Sequence, residues 1–110
     1  MKSFFEFRLA EPDKRHLTIL AGLRARPGHQ DALLKLLRGV VEPTRQEKGC
    51  LCYILHQSQK DPELFTIYQA WEDESFLKTH AKMPYVQSFG AAVPNLLEGP
   101  ILHTHWRILD

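Results

Sequence analysis

A four-stranded antiparallel sheet carrying two helices on one face, in the order βαββαβ, is the α+β fold this 110-residue sequence predicts. Three observations predict it. Apolar segments of strand length occupy residues 16–25, 50–57, 64–71 and 101–109. Between the first and second, and again between the third and fourth, apolar residues recur at helical spacing. Pro27-Gly28, Lys48-Gly49 and Gly99-Pro100 punctuate the boundaries where the chain must turn.

Residues 1–15 read as an N-terminal arm, with Phe4, Phe5, Phe7 and Leu9 followed by a polar break around Pro12. An arm so rich in Phe is expected to cover apolar surface, and residues 16–110 form the domain proper. In the first strand Leu17, Ile19, Ala21 and Leu23 alternate with Thr18, Leu20, Gly22 and Arg24, which predicts burial on both faces. From Gln30 the stripe Leu33, Leu36, Leu37, Val40 and Val41 predicts a helix to Arg45 or Glu47, with Pro43 as a point of kinking and Gly49 as its cap. Residues 50–57 and 64–71 form a hairpin about the polar segment Gln59-Lys60-Asp61-Pro62. Acids at 72–74 suit the positive end of a helix, whose stripe begins at Phe76, Leu77, His80 and Ala81. Pro84 interrupts before Tyr85, Phe89, Ala92, Val93 and Leu96, so this helix is expected to be bent or in two parts. The order of elements is the ferredoxin-like arrangement. Its uncovered sheet face, apolar at Leu20, is expected to be closed by a second copy, giving a homodimer.

Composition narrows the function classes. At 44% apolar and 25% charged residues the chain suits one core, and one so small gains from a partner subunit. Fourteen basic against thirteen acidic residues, net +1, argue against a nucleic-acid surface. No apolar run approaches a membrane span, and Glu6, Arg8 and Glu11 interrupt any signal-peptide core, so a cytoplasmic protein is expected. Cys50 and Cys52, two apart on one strand, would point the same way too far apart for a disulfide, and are expected to be small buried hydrophobes.

The segments LTILAGLRARPG (17–28), LLKLL (33–37), EPTR (42–45), KGCLCY (48–53) with His56, and FTIYQAWEDESFLKTH (65–80) carry a resemblance. Across residues 16–109 the chain resembles the antibiotic biosynthesis monooxygenase family. The resemblance implies a dimeric α+β barrel of ferredoxin-like subunits. It also implies oxidation of a small phenolic or quinol substrate by O₂, with no metal, haem or flavin cofactor. Other branches of that family degrade haem or isomerise sugar phosphates, because one fold carries several chemistries.

Candidate site residues follow. Trp71 matches the family's pocket tryptophan, and His80, on the apolar stripe of the second helix, is the candidate base because an imidazole titrates near neutrality. Its replacement is expected to cost activity and to change stability little. Tyr53, His56, Tyr68, Phe76, Tyr85 and Phe89 are candidates to bind the ring, Tyr68 only through a bulge because its strand parity opposes that of Trp71. Where the family commonly has Thr-Pro-His this chain has Met83-Pro84-Tyr85, a phenol in place of a second imidazole. The axial histidine and the asparagine of the haem-degrading branch fall near Phe89 or Gly90 and near Ala21 or Gly22, where neither residue type is present. His103 and His105 share one strand face but lack a third metal ligand in that strand, so they read as solvated or dimer-facing. The alternative function is a non-oxidative one, a small-ligand-binding dimer or a sugar-phosphate isomerase using His80 and Tyr85. An isomerase would turn Arg24, Arg45 or Lys82 into the pocket, whereas an aromatic pocket without cations fits a phenol.

Overall fold

The computed structural model describes residues 15–109, so the N-terminal arm, apart from Arg15, lies outside the described residues. Strand β1 (Leu17–Arg24) leads to helix α1 (Gln30–Arg45), the hairpin β2 (Cys50–Gln57) and β3 (Leu64–Trp71), helices α2 (Glu74–Ala81) and α3 (Pro84–Ala92), a 3₁₀ turn (Val93–Leu96) and β4 (Leu102–Arg107). The four strands lie in the order β2-β3-β1-β4 with every neighbouring pair antiparallel. This is the ferredoxin-like α+β fold.

The second helix is in two parts because Pro84 takes the first turn of α3, where a missing N–H costs nothing. Asp73 caps α2 by accepting from the Ser75 backbone N–H at 2.8 Å. Pro43 lies within the last turn of α1, which nonetheless runs on to Arg45. The final strand is shorter than predicted, leaving Ile101, Ile108 and Leu109 outside it.

Register places Ile19, Ala21 and Leu23 of β1 beside Gln69, Ile67 and Phe65 of β3, and Tyr53 and Leu55 of β2 beside Gln69 and Ile67. These residues form the helix-side face. Against it α1 buries Leu33, Leu37, Val40 and Thr44, the 3-and-4 spacing of one helix stripe. Phe65, Ile19, Leu23, Leu33 and Leu37 are fully enclosed, each contributing about 1.5–3 kcal/mol by leaving water. The opposite face is less covered. Thr18 is buried there and Leu20 and Gly22 are half-buried, so β1 is enclosed on both sides only in part. Leu102 and Trp106 of β4 are 67% and 55% exposed.

One expectation fails at the start of β2. Cys50 pairs with Trp71 and Cys52 with Ala70, so an irregularity at Leu51 inserts a residue and reverses the parity. Cys50 therefore packs with the helix-side core and Cys52 with Ala70 on the other face. The two thiols do not point the same way. Burial pushes them up to about 12 and about 11, so both stay protonated and behave as the small hydrophobes expected.

Candidate active site

Gly49, at a φ of 86°, sets the site up. The Phe76 ring occupies the space a Cβ at that position would need, and the Gly49 carbonyl accepts from the Glu72 N–H at 2.8 Å. These contacts seat α2 over the ends of β2 and β3. His80, one helical turn beyond Phe76, is the buried residue of α2 and faces Trp71, ring centroids 4.9 Å apart. Tyr53 stands 5.9 Å from the same imidazole and Tyr85 6.4 Å, centroid to centroid.

The imidazole is held by a carboxylate. His80 Nδ1 donates to Glu47 Oε2 at 2.7 Å, the two side chains being 10% and 8% exposed. Because the carboxylate accepts, Nδ1 carries the proton, and in the neutral ring Nε2 is the basic nitrogen. Tyr85 donates its hydroxyl to the same Glu47 oxygen and lies 3.3 Å from Thr44 Oγ1. Burial first, and then the bond to Glu47, push the Tyr85 phenol up to about 12. Burial also raises Tyr53. Both phenols are donors near neutral pH, and neither is a base.

Beneath the imidazole, Trp71 Nε1 donates to Gln69 Oε1 at 2.8 Å. That bond fixes which end of the amide is which, so among the described residues the Gln69 Nε2 group is left as a free donor at the sheet surface. Gln69 and His80 both line a cavity of about 430 Å³ between the sheet and the helices, a size suited to a small ligand. Apart from these, Tyr53 and two histidines of β4, its wall is apolar, from Ile19, Ala21 and Ile67 of the sheet to Leu77, Val86 and Phe89 of the helices. No Lys or Arg lines it among the described residues. Arg24 pairs instead with Asp61 at 2.6 Å, Arg45 Nε donates to the Tyr53 carbonyl at 3.0 Å, and Lys82 is exposed just beyond α2. Among the described residues no three His, Cys, Asp or Glu side chains stand together as a metal site, and Phe89, Gly90 and Ala21 offer iron no ligand.

Residues 16–92 match the family model described as antibiotic biosynthesis monooxygenase. The chain belongs to that family. Among similar solved structures, PA3566 from Pseudomonas aeruginosa superposes with a TM-score of 0.84 at 33% identity, covering 92% of this chain and 100% of that one. "Putative monooxygenase Rv0793" of Mycobacterium tuberculosis is 31% identical over 94 residues, 86% of this chain and 92% of its own. Its solved structure superposes with a TM-score of 0.82. The chain also matches the Synechocystis protein sll1783 at 24% identity over 84 residues, spanning only 57% of that relative's length.

Of the residues singled out from the sequence, His80, Tyr53 and Phe89 line the cavity. Tyr85 turns toward Glu47 and supports His80 from outside the wall. Trp71 is fully buried beneath His80, because α2 covers the strand end, and so it holds Gln69 and the imidazole rather than facing a ligand. Phe76 is spent on Gly49. His56 and Tyr68 share the other sheet face, since the bulge at Leu51 lies too far along the hairpin to turn either inward. Sequence reasoning missed Glu47, which follows the end of α1 where no periodicity marks it. It also missed Gln69, although a glutamine two residues before Trp71 on a buried face was a readable signal. His103 and His105 border the cavity as well, on the helix side of β4, and both are solvent-exposed, in keeping with the solvated placement expected from the sequence.

Proposed function

We propose that this chain is a monooxygenase that oxidises a small phenolic or quinol substrate with O₂, taking the electrons from the substrate rather than from a metal or flavin. One observation carries the reading: an imidazole backed by a buried carboxylate lines a largely apolar cavity that no Lys or Arg enters among the described residues. A sugar-phosphate isomerase would need a cationic anchor there, and Arg24, Arg45 and Lys82 are placed elsewhere.

In this reading His80 Nε2 takes the phenolic proton, and Glu47 acts as a positioning residue that fixes the tautomer and steadies the imidazolium. The Gln69 Nε2 group donates to the phenolate oxygen. The apolar wall excludes water, leaving an electron-rich anion beside O₂. The phenolate passes an electron to O₂, and the pair recombines with a C–O bond at an activated ring carbon. The O–O bond then breaks, that carbon loses its hydrogen as a proton, and one oxygen leaves as water. The net change converts a ring C–H to C=O, four electrons passing from substrate to O₂. The homodimer belongs to the same proposal, a second copy closing the open sheet face.

The test is oxygen uptake by chelator-treated protein given 1-naphthol or 1,4-dihydroxynaphthalene. Uptake above each compound's own autoxidation, unchanged by chelator, is expected. Uptake no faster than autoxidation, or dependent on added metal or flavin, contradicts the proposal.

A further inference from the structure

We propose that His103 and His105 form a second polar pole of the cavity, so that its ligand is an aromatic with a hydroxyl at one end and an acceptor oxygen, carbonyl or carboxylate, at the other. The proposal rests on the phenol reading for the first pole and adds the second.

The argument begins with strand alternation. A strand that only completes a core turns its apolar residues toward the helices and its polar ones away. On β4 the order is reversed. His103 and His105 line the cavity, while Leu102, Thr104 and Trp106 take the open face, where Trp106 Nε1 donates to Thr104 Oγ1 at 2.8 Å. Among the described residues neither cavity histidine has a hydrogen-bond partner. Both are solvent-exposed in the single chain, so their ring nitrogens are open to water at the edge of the cavity, and a ligand's oxygen could take water's place there.

Register then gives the distance. His105 pairs with Ile19, Ile19 with Gln69, and Gln69 with Tyr53, so these four residues form one row across the helix-side face. At the usual strand spacing His105 is about 10 Å from Gln69 and about 14 Å from Tyr53, backbone to backbone. The His80 end and the His103/His105 end are therefore opposite walls, with Ile19, Ala21 and Ile67 as the apolar floor between them. Once the side chains have reached inward, the remaining span suits one or two fused rings. Burial, and then the neighbouring His105, hold His103 below the usual imidazole range, so a neutral N–H donor is what the ligand meets. Such a donor selects an acceptor oxygen.

The experiment compares 6-hydroxy-2-naphthoate, oxygenated at both ends, with 2-naphthol, oxygenated at one. Binding is followed by naphthol fluorescence under argon, in wild type and in a His103→Leu, His105→Leu variant whose folding is checked by its melting curve. Wild type should prefer the hydroxynaphthoate by about tenfold or more, the worth of one hydrogen bond to a charged acceptor. In the variant the preference should fall to within about twofold. Equal affinities in wild type, or a preference that survives in the variant, overturn the second pole and leave the phenol reading standing. Failure of both compounds to bind removes the phenol reading and the proposal with it. The wild-type comparison decides even if the variant does not fold.

Discussion

At the scale of single residues, the site turns on Glu47. The sequence suggested that removing His80 would change stability little, but the imidazole is the donor to a buried carboxylate. His80→Ala leaves that carboxylate with Tyr85 alone and should cost about 1–3 kcal/mol in a denaturant melt. His80→Asn separates the two roles, since its Nδ2–H₂ can stand in for Nδ1–H while no base remains. It should melt near wild type and lose on the order of 10²-fold or more in oxygen uptake. Unchanged uptake would make His80 structural. Removing Glu47 as Glu47→Leu should be the more disruptive change, because two donors then lose their acceptor. The ionisable interior adds a pH dependence. Cys50, Cys52 and Tyr85 sit at about 12, 11 and 12 against ordinary values of 9.0, 9.0 and 10.0. Above pH 9 the unfolded chain sheds protons that the folded one keeps. Their contribution is therefore full below pH 9 and is lost as pH rises toward 12, so denaturation midpoints should fall steadily over that range; a flat profile contradicts the burial. His80, Tyr53 and Phe89 were legible because strand or helix parity alone aims them at one face. Glu47 was not, because it follows α1 and meets His80 only through the seating of α2.

At the scale of elements, the strand and helix periods carried most of the fold. The spans of β2 and β3 agree with the sequence reading, since turn residues bound both, and Pro84 marked the break between α2 and α3. The irregularity at Leu51 was not legible, because an inserted residue leaves no mark on an apolar run. It reversed the expected pointing of Cys50. The reversed alternation of β4 could be read from the sequence as a histidine pair, but its direction could not, since that depends on which face the helices take. Gly49 is the joint between these elements. Gly49→Ala should cost about 2–4 kcal/mol, from the left-handed backbone and the collision with Phe76, and should lower oxygen uptake by shifting α2. A melting temperature within a degree of wild type would show that the joint is not what seats His80.

At the scale of the whole molecule, the helix-side face of β1, β2 and β3 is largely covered within one chain, whereas the open face is not. Leu102 and Trp106 stand exposed on that open face, beside the half-buried Leu20. Sedimentation should give a dimer at micromolar concentration, and Trp106→Glu should shift it toward monomer by placing a charge at the proposed contact. A wild-type monomer would contradict that arrangement. The central claim is that the cavity, using only its own side chains and the substrate's electrons, places one atom of O₂ into an aromatic ring. Oxidation of 1-naphthol by chelator-treated protein under ¹⁸O₂ tests it most directly. The account predicts one labelled oxygen in the quinone product and the other in water. A product labelled only from solvent, or none formed above the autoxidation rate, would contradict it.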